Sequence, residues 1–253
     1  MSVLIATAHG SRDPRSARTV HAVVDRIRLR RPDVDVRVAF LDLTEPHVDR
    51  VIDDVALEGA DSAVVVPLLL GSAFHARVDL PTMLGAARLR NPGLSLVQAD
   101  VLGEDQLLVD AVRSRIFDAG VEVDDPDVGV LLAAVGSSDG AANERTRAIA
   151  RQVLTETRWR EAVTCFATVP NSGPAEALRL LHSAGARKIV LAQWFLAPGL
   201  LTDRVSAVVD ASGFEVVRAD VIGAHSSVAE VVSHRYDCAL TQIVTADNDH
   251  LNR

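Results

Sequence analysis

Two histidines and a carboxylate in the first half of the chain follow strand-like segments. His9 ends the apolar run Val3–Ala8, Asp42 follows the run that closes at Leu41, and His75 comes shortly after the apolar stretch AVVVPLLL. If the three strands are parallel, their carboxyl ends lie at one edge of a sheet, where ligands bind in open α/β proteins. Two imidazoles and a carboxylate with open coordination positions suit a divalent first-row metal ion such as Co²⁺, Fe²⁺ or Ni²⁺. The spacing therefore predicts a metal site at this edge.

A second carboxylate competes with Asp42 for the role of metal ligand. Glu45 and Pro46 are expected in the first turn of a helix that runs to Leu57, where an acidic side chain also stabilises the helix dipole. Both carboxylates therefore remain candidates for this role. After the third strand, His75, Arg77 and Asp79 occupy every second position. Their imidazole, guanidinium and carboxylate together form a candidate site beyond the end of that strand.

The loops that carry these side chains are also rich in arginine. Arg12 and Arg15 belong to the loop after the first strand, and Arg77 lies two residues beyond His75. A guanidinium pairs bidentately with a carboxylate, and the chain has a formal net charge of −8, so arginines gathered at one place predict an anionic ligand. Arg204, from the matching loop of the second half, is expected to approach the same ligand.

Strand-like runs alternate with amphipathic helical patterns along the chain, which is typical of parallel βαβ units. The predicted strands are Val3–Ala8, Val34–Leu41, Ala63–Leu70, Ser95–Ala99, Val128–Ala134, Val163–Ala167, Lys188–Phe195 and Glu215–Ala219. The sequence thus predicts an α/β fold with two similar Rossmann-like lobes. Each lobe is expected to be a parallel four-stranded sheet flanked by helices, and the two lobes are expected to enclose a central cleft.

The two halves of the chain form an internal repeat. The segment Ala99–Gly103, ADVLG, recurs as Ala219–Gly223, ADVIG, and His9–Ser11 has the counterpart Val135–Ser137. Between the halves, Val121–Asp127 is polar, acidic and contains proline, so it is expected to be a linker.

The expected domains are therefore residues 1–120, which carry the histidines, and residues 128–253, a degenerate repeat. A single eight-stranded sheet is the alternative arrangement. The expected replacements in the second half are Val135 for His9, Thr168 for Asp42 and the Leu200-Leu201 region for His75. Because these residues bind metal weakly or not at all, we expect one productive metal site per chain.

Composition argues against several classes of partner. A net charge of −8 and an aromatic content of 4% do not suit a nucleic-acid-binding surface. No apolar run reaches the roughly 18 residues of a membrane span, and no signal peptide is recognisable, so we expect a cytoplasmic protein that does not bind membranes. The glycine-containing loops match neither the dinucleotide-binding nor the P-loop pattern, which argues against nucleotide binding.

Three motifs together carry a resemblance to a known family. HGSRDPR (His9–Arg15), FLDLTEP (Phe40–Pro46) and PLLLGSAFHARVDLP (Pro67–Pro81) resemble the sirohydrochlorin chelatases of the CbiX/SirB type, in a two-lobed long form. The resemblance implies insertion of Co²⁺ or Fe²⁺ into sirohydrochlorin without ATP, in cobalamin or sirohaem biosynthesis. The metal ion is then a substrate, and no organic cofactor is implied.

The resemblance also implies roles for individual residues. His9 and His75 would handle the metal and act as general base, with Asp42 standing where the family usually has Glu. The implied tetrapyrrole-binding residues are Ser11, Arg12, Arg15, Arg77 and Arg204. The two lobes would stand in for a dimer of single-lobe units, so we expect a monomer. A non-catalytic tetrapyrrole or metal carrier on the same fold is the alternative function.

Overall fold

The computed structural model describes residues 2–71 and 78–251, with side chains as far as residue 242. The elements of the first half are β1 (Ser2–Ala8), α1 (Pro14–Arg30), β2 (Asp35–Phe40), α2 (Val48–Leu57), β3 (Ser62–Pro67), α3 (Leu80–Arg90), β4 (Ser95–Gln98) and α4 (Gln106–Asp118). Those of the second half are β5 (Val128–Ala134), α5 (Gly140–Val153), β6 (Glu161–Phe166), α6 (Pro174–Ser183), β7 (Lys188–Gln193), α7 (Leu200–Asp210), β8 (Val216–Val221) and α8 (Ser226–Leu251).

The strands form two separate parallel sheets. The first sheet has the order β2-β1-β3-β4 and the second has the order β6-β5-β7-β8. Every strand pairs in parallel with its neighbour. The α/β fold with two four-stranded sheets is therefore confirmed, and the alternative of one eight-stranded sheet is wrong.

Burial explains why the strands are apolar along their length. Helices cover both faces of a parallel sheet, and the central strand β1 accordingly buries Leu4 and Ile5 completely. Helix α1 begins at the cap residue Asp13, whose side chain accepts a hydrogen bond from the backbone N–H of Arg15. It buries one apolar face against the sheet, made of Val20, Val23, Val24 and Ile27.

The compact units of the fold differ from the two halves expected from the repeat. One unit comprises Met1–Gly103 together with Ala224–Arg253, and the other comprises Glu104–Gly223. The expected domains were residues 1–120 and 128–253, whereas the units divide the chain after Gly103 and after Gly223. The segments that change unit contain α4 and α8, the fourth helix of each half.

Each unit takes its fourth helix from the other half of the sequence. Helix α8 packs against α1, β3 and β4, and Arg235 donates to the backbone carbonyls of Val101 and Leu102 at 3.0 and 2.9 Å. Helix α4 packs against α5, β7 and β8, and Arg115 Nη2 donates to the carbonyl of Ile222 at 3.0 Å. The apolar faces of α4 and α8 are thus buried against sheets of the other half.

The segment expected to link two domains lies inside the second unit. Its backbone carbonyls accept hydrogen bonds from Trp159 Nε1 at Glu122, 2.8 Å, and from the N–H of Arg158 at Val123, 2.9 Å. These bonds anchor the segment where it joins α4 to β5. The expectation that it separates two domains therefore differs from the structure.

Two local expectations are corrected by the element bounds. Glu45 and Pro46 precede α2, whose cap residue is His47, so Glu45 lies outside the first helical turn. Helix α7 begins at Leu200 as α3 begins at Leu80. Leu200 therefore corresponds to Leu80 rather than to His75. The connection that carries His75 covers residues 68–79, and its counterpart covers only residues 194–199.

In the part of the chain that the structure describes, no helix is both long enough and apolar enough to cross a membrane.

Candidate active site

The loops after β1 and β2 are joined through their backbones. The strand register sets Ala8 beside Phe40, and the N–H of Asp42 donates to the carbonyl of His9 at 3.0 Å. Gly10 lies next to this bond in a left-handed conformation with φ of 94°. A Cβ atom at Gly10 would lie 1.7 Å from the carbonyl oxygen of Asp42, so only glycine permits this approach.

Thr44 holds the same two loops together with its side chain. Its Oγ1 accepts a hydrogen bond from the N–H of Ser11 at 3.1 Å and donates to the carbonyl of Ser11 at 3.0 Å. The backbone N–H of Thr44 donates to the carbonyl of Asp42 at 2.7 Å. We call this arrangement of Thr44 Oγ1 and the Ser11 backbone the loop clamp. It was not recognised from the sequence, because its partners are 33 residues apart.

The side chains of His9 and Asp42 project from these joined loops. His9 is half-buried, and its Nδ1 lies 3.3 Å from the carbonyl oxygen of Gly10. In the tautomer with the proton on Nδ1, that nitrogen donates to Gly10 and the lone pair is on Nε2. Asp42 is exposed, and its Oδ1 accepts a hydrogen bond from the N–H of Leu43 at 2.7 Å. The loop backbone thus orients both groups.

One open pocket of about 560 Å³ brings these groups together with the start of α3. Its lining residues are His9, Leu41, Asp42, Val78, Asp79, Thr82 and Met83. Glu45 is absent from this lining, and its carboxylate instead accepts from the N–H of His47 at 3.2 Å. The arrangement favours Asp42 over Glu45 as the carboxylate beside His9. Asp79, which the sequence placed in a candidate site with His75 and Arg77, is a second acidic group at the pocket.

Two of the predicted site residues lie outside the described residues. These are His75 and Arg77, which belong to residues 72–77. Among the described residues, no group of three or more His, Cys, Asp and Glu side chains is arranged to hold a metal ion. The predicted set of His9, Asp42 and His75 is therefore represented by two of its three members, and the complete set remains a prediction.

The two arginines of the first loop have different surroundings. Arg12 is exposed and forms no ion pair within the described ranges. Arg15 Nε lies 3.1 Å from both carboxylate oxygens of Asp13, and its Nη2 lies 2.6 Å from Oδ2. These hydrogen bonds from Arg15 lower the pKa of Asp13 from 3.8 to about 2. Arg12 therefore has its guanidinium available for an anion, while Arg15 would have to leave Asp13 to bind one.

The remaining predicted anion-binding residues are Ser11 and Arg204. The Oγ of Ser11 accepts from the N–H of Asp13 at 3.1 Å, so this hydroxyl shapes the turn before α1. Arg204 is exposed on α7 in the second unit. The role of Ser11 and of Arg204 in binding a tetrapyrrole remains a prediction.

The second unit repeats the backbone arrangement of these loops but has neither the histidine nor the carboxylate at the matching positions. The N–H of Thr168 donates to the carbonyl of Val135 at 3.0 Å, as Asp42 does to His9, and Gly136 has φ of 91°. Val135 and Thr168 thus stand where the first unit has His9 and Asp42, as predicted. The clamp differs, because the backbone of Ser137 is held by Asn143 of α5, with both bonds at 2.8 Å.

Known proteins share this architecture over nearly the whole chain. The chain is 26% identical over 245 residues to the sirohydrochlorin ferrochelatase of Priestia megaterium, covering 95% of this chain and 91% of that protein. It is 27% identical over 217 residues to the sirohydrochlorin cobaltochelatase of the same organism, covering 83% and 69%. It also resembles the solved structure of SirB from Bacillus subtilis with Fe³⁺, with a TM-score of 0.78 and 24% identity over 93% of this chain and 94% of that one.

The family assignment rests on matches to both halves. A family model described as CbiX matches residues 3–119 and again residues 129–239. Matching the same model twice confirms the internal repeat, and the two matches together span most of the sequence. The chain therefore belongs to the CbiX family, as its three sequence motifs indicated.

Proposed function

We propose that this protein inserts a divalent metal ion, Co²⁺ or Fe²⁺, into sirohydrochlorin without ATP, and is thus a lyase of cobalamin or sirohaem biosynthesis. The observation that carries the proposal is the pocket at the carboxyl edge of the first sheet, which His9 and Asp42 line together. The names of the relatives from Priestia megaterium, a ferrochelatase and a cobaltochelatase of sirohydrochlorin, support the same reaction and leave both metals open.

The reaction requires a proton acceptor close to the metal. Insertion forms metal–nitrogen bonds to the tetrapyrrole and releases two pyrrole N–H protons, which pass to the protein and then to water. A neutral imidazole holds a divalent cation and accepts a proton near physiological pH. We therefore assign metal delivery and general-base catalysis to His9 and His75, with Asp42 as the carboxylate that attracts the ion.

Loose coordination suits delivery rather than storage. A closed four-ligand site retains its metal, whereas a site with open positions exchanges ligands. The pocket beside His9 is open, and Asp42 is exposed. An ion held there by few protein ligands keeps positions for the incoming pyrrole nitrogens.

The arginines are assigned to the anionic side chains of the tetrapyrrole. Sirohydrochlorin is a polycarboxylate, and charge-assisted bonds from guanidinium orient such groups. We assign this role to Arg12 and Arg77 first, with Arg15 and Arg204 as further contacts and Ser11 as a hydrogen-bond donor. The second unit has Val135 and Thr168 at the equivalent positions, so we propose one productive site per chain.

The function is tested by following the absorbance of sirohydrochlorin during metallation by Co²⁺ and by Fe²⁺. Wild-type protein is expected to turn over many equivalents, and His9→Ala is expected to abolish turnover while the protein stays folded. His182→Ala is the matched control, since this exposed histidine lies on α6 and is expected to leave turnover unchanged. Stoichiometric binding without turnover by the wild type would instead identify a carrier. Competition between the two ions then determines metal preference.

We also propose that the protein acts as a monomer in the cytoplasm. The internal repeat supplies within one chain what two single-repeat chains would supply as a dimer. Both cysteines, Cys165 and Cys238, are free thiols, which suits a reducing compartment. Light scattering of the purified protein at the mass of one chain supports this assignment, and the mass of a stable dimer contradicts it.

A further inference from the structure

Helix α8, which carries none of the lining residues of the pocket beside His9, displays a thiol and an imidazole on its exposed face. His234 and Cys238 are four residues apart, so they lie one turn from each other on the same side of the helix. Both side chains are exposed. The Sγ of Cys238 is 3.6 Å from Nε2 of His234 and 4.0 Å from Nδ1.

The separation of these atoms matches that of two ligands on one tetrahedral metal ion. With a metal–thiolate bond of about 2.3 Å and a metal–imidazole bond of about 2.1 Å, tetrahedral geometry separates sulfur from nitrogen by about 3.6 Å. Cys238 Sγ and His234 Nε2 are already at this distance. A hydrogen bond from the thiol to the imidazole produces the same spacing without metal, and that thiol proton is released when a cation binds.

Among the described side chains, the acidic groups nearby are paired with arginines and leave two protein ligands at this place. Asp237 lies between the pair in sequence, but its carboxylate is held by Arg31 at 2.8 Å. Glu230, one turn before His234, lies 3.6 Å from Arg30. Because both carboxylates are paired with arginines at the end of α1, water would complete the coordination shell, and the ion would exchange readily.

We propose that His234 and Cys238 form a second metal-binding site, for a borderline-soft divalent ion such as Co²⁺ or Zn²⁺. Thiolate and imidazole together favour such ions over Mg²⁺ and Ca²⁺. The site is separate from the pocket beside His9 and takes no part in insertion. The proposal does not rest on the proposed function, since it concerns the binding of metal alone.

The test is an anaerobic titration of the full-length, reduced protein with Co²⁺ in the absence of tetrapyrrole. Thiolate coordination is expected to produce a near-ultraviolet charge-transfer band that rises with added Co²⁺ and then saturates. Cys238→Ser is expected to remove the band. Even an outer-shell partner contributes about 10- to 100-fold to metal affinity, so His234→Ala is expected to raise the Co²⁺ dissociation constant at least about tenfold. A wild-type protein without the band overturns the proposal.

Two controls separate this site from the rest of the protein. Cys165→Ala is expected to keep the band, because burial raises the pKa of the Cys165 thiol to about 12 and the residue is fully buried. His9→Ala is also expected to keep it, even where insertion is lost. A measurement without any variant is the rate at which iodoacetamide alkylates Cys238 in the wild type. Zn²⁺ is expected to slow this rate, and an unchanged rate contradicts the proposal.

Discussion

The backbone of Gly10 touches the backbone of Asp42 so closely that a methyl group on Gly10 would lie 1.7 Å from the Asp42 carbonyl oxygen. This contact sets the loop of His9 directly against the loop of Asp42, where the N–H of Asp42 also reaches the carbonyl of His9 at 3.0 Å. The position of the His9 imidazole relative to the Asp42 carboxylate therefore depends on Gly10, a residue that has no side chain.

Gly10→Ala is expected to separate these loops and to lower both stability and turnover. The left-handed φ of 94° alone costs a non-glycine residue about 1–2 kcal/mol, and the clash with Asp42 adds about 1–3 kcal/mol. Gly59→Ala is the matched control, because Gly59 has φ of 85° and no atom lies within 4 Å of the place where its methyl group would be. Denaturant unfolding and metallation rates of both variants check this. Equal losses in the two variants would contradict a special role for the Gly10–Asp42 contact.

The placement of His9 and Asp42 could be predicted from the sequence, because each directly follows a segment predicted to be a strand. The exchange of α4 and α8 between units could not. The segments Ala99–Gly103 and Ala219–Gly223, which precede α4 and α8, are nearly identical. The local sequence is therefore compatible both with a helix that packs on the sheet of its own half and with one that packs on the other sheet. Only tertiary packing, such as that of Tyr236 at 2% exposure, decides between the two.

The prediction that the Leu200-Leu201 region replaces His75 was wrong for a different reason. Matching the halves by order along the chain assumes connections of equal length, whereas residues 194–199 replace the longer connection of residues 68–79. The second half therefore lacks the segment rather than carrying apolar residues in it. The loop clamp of Thr44 could not be predicted from the sequence either. Its partners are the backbone N–H and carbonyl of Ser11, and every residue type except proline has both groups.

Thr44→Val is expected to loosen the site with little change in side-chain shape. It removes both hydrogen bonds to Ser11, at 3.1 and 3.0 Å, and leaving those backbone groups unpaired costs about 1–3 kcal/mol of stability. Because Thr44 holds the loop of His9 against the loop of Asp42, we expect kcat and the pH dependence of turnover to change as well. Thr44→Ser keeps the hydroxyl and is expected to restore both.

The second unit supplies the control for this prediction. Asn143→Ala removes the equivalent clamp on Ser137, whose bonds are both 2.8 Å, and is expected to lower the melting temperature while leaving kcat unchanged. If Thr44→Val also changes stability alone, with kcat and its pH profile as in the wild type, the clamp has only a structural role.

Asp13 is expected to make stability depend on pH in acid. Hydrogen bonds from Arg15 lower its pKa from 3.8 to about 2, so the charged form is favoured by folding. This stabilisation is present above the unfolded-state pKa and is lost as the pH falls from about 4 towards 2. Asp13→Asn keeps an N-cap side chain but does not titrate. The gap in melting temperature between wild type and Asp13→Asn is therefore expected to shrink over this pH range.

Asp139→Asn is the matched control for the pH experiment. Asp139 caps α5 as Asp13 caps α1, but it accepts from the N–H of Ala141 and has alanine where Asp13 has Arg15. Asp139→Asn therefore measures how the exchange of a cap carboxylate for an amide changes the melting temperature where no arginine stands two residues later. A gap for Asp13→Asn that stays constant with pH would show that the Arg15 pair does not act through the charge of Asp13.

Arg12 is expected to contribute more to tetrapyrrole binding than Arg15, although both belong to the same motif. Arg12 is exposed and, within the described residues, has no ion pair, whereas Arg15 lies 2.6 Å from Asp13. A lost charge-assisted hydrogen bond is worth about 1.5–3 kcal/mol, so Arg12→Ala should raise KM for sirohydrochlorin about 10- to 150-fold with little change in kcat. Arg15→Ala should raise KM less and lower the melting temperature more, because it leaves Asp13 without its partner.

Steady-state kinetics at two salt concentrations check this, since screening weakens an exposed contact. A larger KM effect from Arg15→Ala would mean that substrate draws Arg15 away from Asp13.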